Sequence, residues 1–434
     1  MDNISEKRLM NFSKSKILII LAFLMASLPA SAAAYELDLK SSTYLHLYQV
    51  DQISGTDTDY APLYEYLSLD LWEVGRPELS FHLYGWGSID LGEESNSNTG
   101  DGHLSSAHVR YRSNNGDWQL RVGRMLLTEG TTLEALDGLH YRQSLVNIGF
   151  SLFGGNPNEG DGSEDSRGDT LAGARGFFIS PGKMEIGLNY LTEDGDFGGD
   201  EREEAGTDLW LKPTDSMEIT GHALYNLSTS GMASDDLSLL LSLSPSLDVI
   251  IASEGYIYEN LFQSVTNPAF LSSNINPADE VRITRGEINW SPVGRLDIHG
   301  AMKNTDHTEA DPGDNTRTEI GLDLDTSVFV DKIGLRFASQ TGDLPENEYN
   351  EIRAYCMATL GSIRWSLDAL ALTYEEKISG EDQTTQLVGS AGWKLTDNLD
   401  LSGDVRMTKS PLYDEDLAVV LRARYDFGTG SGAK

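Results

Sequence analysis

The sequence predicts a single all-β domain: a transmembrane antiparallel β-barrel of about 22 strands, within a range of roughly 18–22. Three observations predict it. The chain ends on a strand with one apolar and one charged face. It begins with a cleavable export signal. Between the two, strand-like segments are joined alternately by tight turns and longer polar loops.

The export signal comes first in the chain. Lys7, Arg8, Lys14 and Lys16 form a basic region, Ile17–Leu28 a short apolar one, and Ala30-Ser31-Ala32 and Ala32-Ala33-Ala34 two overlapping small-residue cleavage sites. This pattern reads as a secretory signal over residues 1–34, too short to be a membrane anchor. The barrel is expected over residues 35–427 and a short extension over 428–434. Strands start directly after the signal, which leaves no room for the plug domain of a TonB-dependent transporter.

The turns set the strand count. Gly75-Arg76-Pro77, Asn114–Asp117, Ser180–Lys183, Pro213–Asp215, Ser244–Ser246, Ser291–Gly294, Val330–Lys332, Gly361-Ser362 and Thr396–Asn398 are tight turns, with a tenth near Gln143–Leu145. Gly, Pro, Asn and Asp supply the backbone angles such turns need, and Pro cannot donate to a strand ladder. Longer loops are expected at 51–59, 93–102, 155–168, 194–206, 260–279, 305–315, 341–348 and 375–383. Ten hairpins plus a first and a last strand give the even count, with both termini on one side.

The faces alternate within the segments. Leu237, Leu239, Leu241 and Leu243 share a face, opposed by Asp236, Ser238, Ser242 and Ser244 and broken by Leu240. Leu296, Ile298 and Met302 oppose Asp297, His299 and Lys303; Ile320, Leu322 and Leu324 oppose Glu319, Asp323 and Asp325. Side chains in a strand point alternately to opposite faces, so each segment is built to meet two different solvents. Tyr66, Trp72, Trp118, Tyr190, Trp210, Tyr225, Trp290, Trp365 and Tyr425 lie near segment ends and suit the aromatic girdles of a membrane barrel.

The last segment, Leu417–Phe427, reads LAVVLRARYDF. Val419, Leu421, Ala423, Tyr425 and Phe427 form its apolar face; Val420, Arg422, Arg424 and Asp426 form the other. It resembles the C-terminal signal of bacterial outer-membrane proteins, which implies recognition by the barrel assembly machinery. It departs from that signal in continuing past Phe427 to Lys434. Trp118–Pro157, with Arg121-x-Gly123-Arg124, a loop, and Leu136-Asp137-Gly138-Leu139, resembles a strand-loop-strand unit of outer-membrane porins and alginate-export-type channels. Met125 stands where those families often carry Gln. The resemblance implies a loop that folds into the lumen and narrows it; a plain surface loop is the other reading.

Composition excludes several classes. The 434 residues carry 68 acidic and 32 basic side chains, a formal net charge of −36, which argues against nucleic-acid binding. Mean hydropathy is −0.32, and no apolar run after the signal is long enough for a membrane helix. A barrel needs only alternate residues to be apolar, so this average does not count against one. Cys356 is the only cysteine, so there is neither an internal disulfide nor a C-x-x-C redox or haem motif. H-E-x-x-H and G-x-S-x-G are absent and the eight histidines are scattered, so no catalytic, cofactor or metal site is expected. His108 and His222 have the residue type for hydrolase chemistry and read as lumenal polar residues. The acidic stretches Glu159–Asp169 and Glu193–Glu204 lack the EF-hand pattern; they read as solvated loops that bind divalent cations weakly at most, shared with lipopolysaccharide phosphates.

The expected function is a porin-like channel of the bacterial outer membrane, passing small hydrophilic solutes or ions by diffusion. The expected surroundings are membrane lipid and lipopolysaccharide. The alternatives are the barrel of an export or electron-transfer conduit and a structural or adhesive barrel, and self-association is open. The candidate lumen-lining residues are His108, Arg110, Arg112, Arg121, Asp404, Arg422, Arg424 and Asp426. His108, Arg110 and Arg112 alternate with Ala107, Val109 and Tyr111, and Arg121 alternates with Leu120 and Val122 on the next strand. Arginine facing lipid is costly, which puts these groups inside.

Overall fold

The computed structural model describes residues 36–51, 57–92, 100–158, 168–195, 202–261, 276–308, 313–328, 330–411 and 413–428. The proposed signal and the last residues of the C-terminal extension lie outside them, as do most of the acidic stretch Glu159–Asp169 and half of Glu193–Glu204.

Twenty-three strand segments follow one another in sequence: β1 Glu36–Asp51, β2 Asp57–Tyr60, β3 Pro62–Trp72, β4 Leu79–Asp90, β5 Asp101–Arg112, β6 Trp118–Glu129, β7 Thr132–Ser144, β8 Ile148–Pro157, β9 Gly168–Ser180, β10 Met184–Gly195, β11 Arg202–Thr214 and β12 Met217–Asn226. The remainder are β13 Gly231–Ser244, β14 Leu247–Ile257, β15 Glu280–Val293, β16 Leu296–His307, β17 Asn315–Val328, β18 Val330–Gly342, β19 Tyr349–Leu360, β20 Ile363–Ile378, β21 Glu381–Lys394, β22 Leu399–Ser410 and β23 Tyr413–Gly428. β2 and β3 are one wall strand interrupted at Ala61, since both pair with β1. The wall therefore has 22 strands. Each pairs antiparallel with its neighbour, and β23 returns to β1 from Asp38↔Gly428 to Tyr48↔Ala418, closing the barrel.

Short connections join strands at the end where the termini lie at or beside all ten expected places, two of them displaced. The one expected at Gln143–Leu145 falls between Ser144 and Ile148, and Val330–Lys332 opens β18 instead of forming a turn. The opposite end is less uniform than expected. β20 and β21 run through the loop placed at 375–383 and turn at Ser379-Gly380, both with positive φ. The reason is local: the Ser-Gly pair accepts the left-handed conformation of a short hairpin turn.

The sheet sorts its side chains as the alternation requires. Leu237, Leu322, Leu335, Ile352, Leu387 and Leu421 are exposed on the outer surface, where apolar groups belong only if the surrounding medium is lipid. The girdle divides: Trp118, Tyr190, Tyr225, Trp290, Trp365 and Tyr425 share the outer face. Tyr66, Trp72 and Trp210 share strand parity with interior groups, and Trp72 lies 4.8 Å from His82 and under the Arg110 guanidinium. Nearness to a strand end does not fix a face; parity does.

An acidic side chain on the outer face departs from this sorting. Glu65 pairs in register with Thr43 and lies between apolar rows that hold Leu39 and Leu69 on one side and Leu45 and Leu63 on the other. Ser41 Oγ and Thr43 Oγ1 each donate a hydrogen bond to its carboxylate at 2.5 Å. Two donors on the adjacent strand replace the water that lipid would deny it.

Candidate functional site

A 22-strand wall at about 4.8 Å strand spacing and 45° tilt encloses a space on the order of 45 Å across between backbones. The segment between Arg121 and Leu139 occupies part of it. From the sequence, Met125–Ala135 reads as a loop, either folded into the lumen or lying at the surface. The structure instead continues β6 and β7 as a hairpin, paired without a break from Trp118↔Gln143 to Glu129↔Thr132.

The distal half of that hairpin is folded back inside the barrel. Glu129 pairs with Thr132, yet its carboxylate contacts His140 and Arg142 further along β7. A straight strand would put about 26 Å between Thr132 and His140. The bend is at Gly123↔Gly138. Gly123 has a φ of +123°, and a Cβ on Gly138 would stand 2.1 Å from the Gly154 carbonyl, so neither position accepts a side chain without moving the wall.

The folded half forms a second layer over β8–β11. Leu127 and Leu136 are buried in one cluster with Phe153, Leu171 and Leu191, and Met125 is equally buried. Three such side chains represent on the order of 5–8 kcal/mol of gross transfer free energy, before the cost of ordering. Polar contacts fix the register of the docking. Asn189 donates to Thr131 Oγ1 at 2.6 Å. Arg202 bridges Glu134 at 2.6 Å and Glu204 at 2.7 Å.

At the tip, Glu129 collects the charges of two strands, β7 and β9. Arg142 Nη1 donates to its Oε2 at 2.9 Å, and Arg175 lies 3.8 Å away while holding Glu185 and Asp208. His140 Nε2 stands 3.0 Å from Glu129 Oε1, poorly aligned for a hydrogen bond. His140 Nδ1 accepts from Arg121 Nε at 3.0 Å, so the imidazole joins the hairpin tip to the wall.

The residues singled out from the sequence fall in two groups. His108, Arg110 and Arg112 lie on the inner face of β5, with Arg110 directly opposite Arg121 of β6. His108 stacks on His82 with ring centroids 5.0 Å apart, and the Arg110 guanidinium sits 4.7 Å above the Trp72 ring. Among the described residues, no carboxylate stands within 4.0 Å of Arg110, Arg112 or Arg121. Arg422 and Arg424 of β23 lie on another part of the wall and are paired: Arg422 with Asp404 at 2.5 Å, Arg424 with Asp426 at 3.0 Å. Asp70 is taken by His82 at 2.5 Å, and His222 pairs with Asp236. A recess of about 480 Å³ separates the first group from the hairpin, lined by His82, His108, Arg110, Arg121, Glu129 and Arg142 among others.

The residues missed from the sequence are those of the docked hairpin: Glu129, Thr131, Glu134, His140 and the wall arginines Arg175 and Arg202. Their signal was present as Glu129-Gly130-Thr131-Thr132, a turn between two short alternating runs, with a glycine a turn's distance beyond each.

No protein-family model matches this sequence, and no curated protein matches it. Solved structures do. The P pilus usher (PapC) translocation pore matches with a TM-score of 0.50 at 7% identity, over 90% of this chain and 99% of that one. An Escherichia coli P pilus tip assembly intermediate, PapC-PapD-PapK-PapG, matches with a TM-score of 0.55 at 9% identity, over 92% of this chain and 62% of that one. The outer membrane protein OpdK of Pseudomonas aeruginosa matches over 91% of this chain and 99% of that one, with a TM-score of 0.41 at 8% identity. At these identities the likeness is one of fold. The chain is a closed antiparallel β-barrel of 22 strands.

Proposed function

We propose that this protein is a passive channel of the bacterial outer membrane for small hydrophilic solutes or ions, narrowed from within by the β6–β7 hairpin. The observation that carries the reading is the sorting of the closed wall: apolar side chains outside, and charged ones inside around a space too wide for them to fill. A packed structural barrel has no use for an inner face of arginines and carboxylates. The end holding the termini faces the periplasm, as in barrels of this kind, and the opposite end faces the exterior.

Arg110, Arg112 and Arg121 give the narrowed part its selectivity. With no carboxylate against them, they present positive charge to the recess beside the hairpin and favour anions there, although the molecule as a whole is acidic. Arg422, Arg424, Asp404 and Asp426 line another stretch as neutral pairs. Reconstitution of the purified protein into a planar bilayer tests the channel: discrete conductance steps are expected, and a folded, inserted barrel that carries no current would overturn the reading.

One feature favours a second reading, a conduit with a partner seated in the lumen. Leu126 and Leu133 are 55% and 65% exposed on the face of the hairpin opposite the one docked against the wall. Water is a poor neighbour for both. Recovery of a stoichiometric partner from native membranes, lost in Leu126→Ser/Leu133→Ser, would support the conduit.

A further inference from the structure

The inner face of β1, β3 and β4 carries a run of aromatic side chains that the channel reading leaves without a role. Along β1, Tyr44, His46 and Tyr48 share the inner face, and along β3 Tyr64 and Tyr66 do so. Their rings touch across the strands: Tyr44 meets Tyr66 with centroids 5.6 Å apart, His46 meets Tyr64 at 5.6 Å, and Tyr48 stacks on Tyr60 at 5.3 Å. Tyr84 of β4 extends the surface sideways. The run spans about 13 Å along β1 at ~3.3 Å per residue, from the middle of the barrel to the mouth opposite the termini. It borders a recess of about 780 Å³.

Three properties of this surface narrow what it can hold. The rings are stacked or set edge to face against each other, which fixes them beside the recess. Among the described residues, the hydroxyls of Tyr44, Tyr64, Tyr66 and Tyr84 have no protein hydrogen-bond partner. The charges are balanced: Lys40 pairs with Asp38 at 3.1 Å, Arg422 with Asp404 at 2.5 Å and Arg424 with Asp426 at 3.0 Å. An anion would find each cation here already neutralised, unlike at Arg110, Arg112 and Arg121.

We infer that this surface is a binding track for a neutral oligosaccharide. The inference rests on the channel reading above and names a solute class for it. The C–H faces of sugar rings pack on phenol rings. Their hydroxyls take the free phenol hydroxyls and the planar, ion-paired guanidinium and carboxylate groups as donors and acceptors. A track longer than one sugar ring favours a chain over a single sugar. It leads down β3 from Tyr64 and Tyr66 to Trp72, where Arg110 covers the ring, so the neutral track ends at the charged, hairpin-narrowed stretch.

Single-channel recording with maltohexaose, cellohexaose, benzoate and a polyethylene glycol of matching size tests this. Either hexasaccharide is expected to produce resolved current blocks at millimolar concentration. Tyr44→Ala and Tyr66→Ala should weaken the block at least tenfold, Tyr64→Phe several-fold by loss of one hydroxyl, and Lys303→Ser, on β16 away from the track, should leave it within twofold. The glycol should pass without resolved events. Heat-dependent gel migration confirms that each variant is folded. A conducting channel that neither sugar blocks more than the glycol does, or that benzoate blocks in preference, overturns the sugar track and leaves the channel standing. A barrel that does not conduct overturns the channel; quenching or enhancement of tyrosine and tryptophan emission by hexasaccharide, absent in Tyr44→Ala, then decides the track by itself.

Discussion

Glu129 and His140 stand 3.0 Å apart, carboxylate to imidazole, although they belong to a hairpin whose straight form would hold them far from each other. Their contact is the measure of how completely the β6–β7 hairpin folds inward. If the hairpin narrows the channel, undocking it should change the current. Leu127→Asp puts a charge into the buried Leu127–Leu136–Phe153–Leu171–Leu191 cluster, where an unpaired carboxylate is untenable. Gly206→Val acts from the wall side, because a Cβ there would stand 2.1 Å from Thr131 Oγ1. Both variants should insert as folded barrels and show larger, noisier single-channel steps than the parent. Unaltered steps in both would mean that the hairpin does not set the narrowest section.

Replacing Arg110, Arg112 and Arg121 together with serine should shift the reversal potential in a salt gradient toward cation preference by several millivolts or more, with assembly retained. The shift should shrink as salt rises, since screening at 1 M falls to about 3 Å. The paired double variant Arg422→Ser/Asp404→Ser should move it much less, because it removes no net charge. Equal shifts from the two would show that pairing does not govern selectivity.

Leu239→Arg and Leu322→Arg should impair assembly, at a cost of roughly 2–4 kcal/mol near the bilayer midplane. Ser238→Arg, one residue away on the inner face, should be tolerated. Urea-unfolding midpoints in lipid vesicles compare the three directly.

Glu65 offers a sharper test of the lipid face. Removing its donors with Ser41→Ala/Thr43→Val leaves a carboxylate in lipid with no partner, and stability should fall by about 1–3 kcal/mol. Glu65→Leu removes the need for the donors and should be neutral or stabilising. The same vesicle unfolding assay reads both, and a large loss with Glu65→Leu would mean that the carboxylate has a role besides being tolerated.

The barrel was legible because its two determinants are local. Turn chemistry at places such as Asn114–Asp117 and Thr396–Asn398 marks where strands end, and the period-two pattern in Leu237–Leu243 marks which side faces lipid. Parity from the same pattern places Arg110 opposite Arg121 once the turn between them is known. What was not legible depends on contacts between residues distant in sequence. Met125, Leu127 and Leu136 alternate like any strand, and only the bend at Gly123 and Gly138 turns their face from lumen to buried layer. The carboxylate of Glu65 reads as a solvent-facing group until its strand neighbours Ser41 and Thr43 are known. Tyr66 and Trp72 read as interface anchors because they lie near a turn, while their face is set by register with β1 and β4.

Folding the hairpin inward has one cost for the wall. A closed barrel has no edges, yet β5 meets β6 only from Ala107↔Arg124 to Arg112↔Gln119. Beyond that, among the described residues, the ladder of Asp101–Ser106 is with β4, and a stretch laddered on one side is the kind of surface along which a stray strand can add. The bend supplies its own cover. Arg124, held by Asp137 at 2.6 Å, donates from Nη1 to the Leu104 carbonyl at 3.0 Å, and Ser106 Oγ reaches the Arg124 carbonyl at 3.4 Å. The residue at which the hairpin leaves the sheet thus stays behind as a cap on the strand it has abandoned, which guards the barrel's rim against pairing with a neighbour in a crowded membrane.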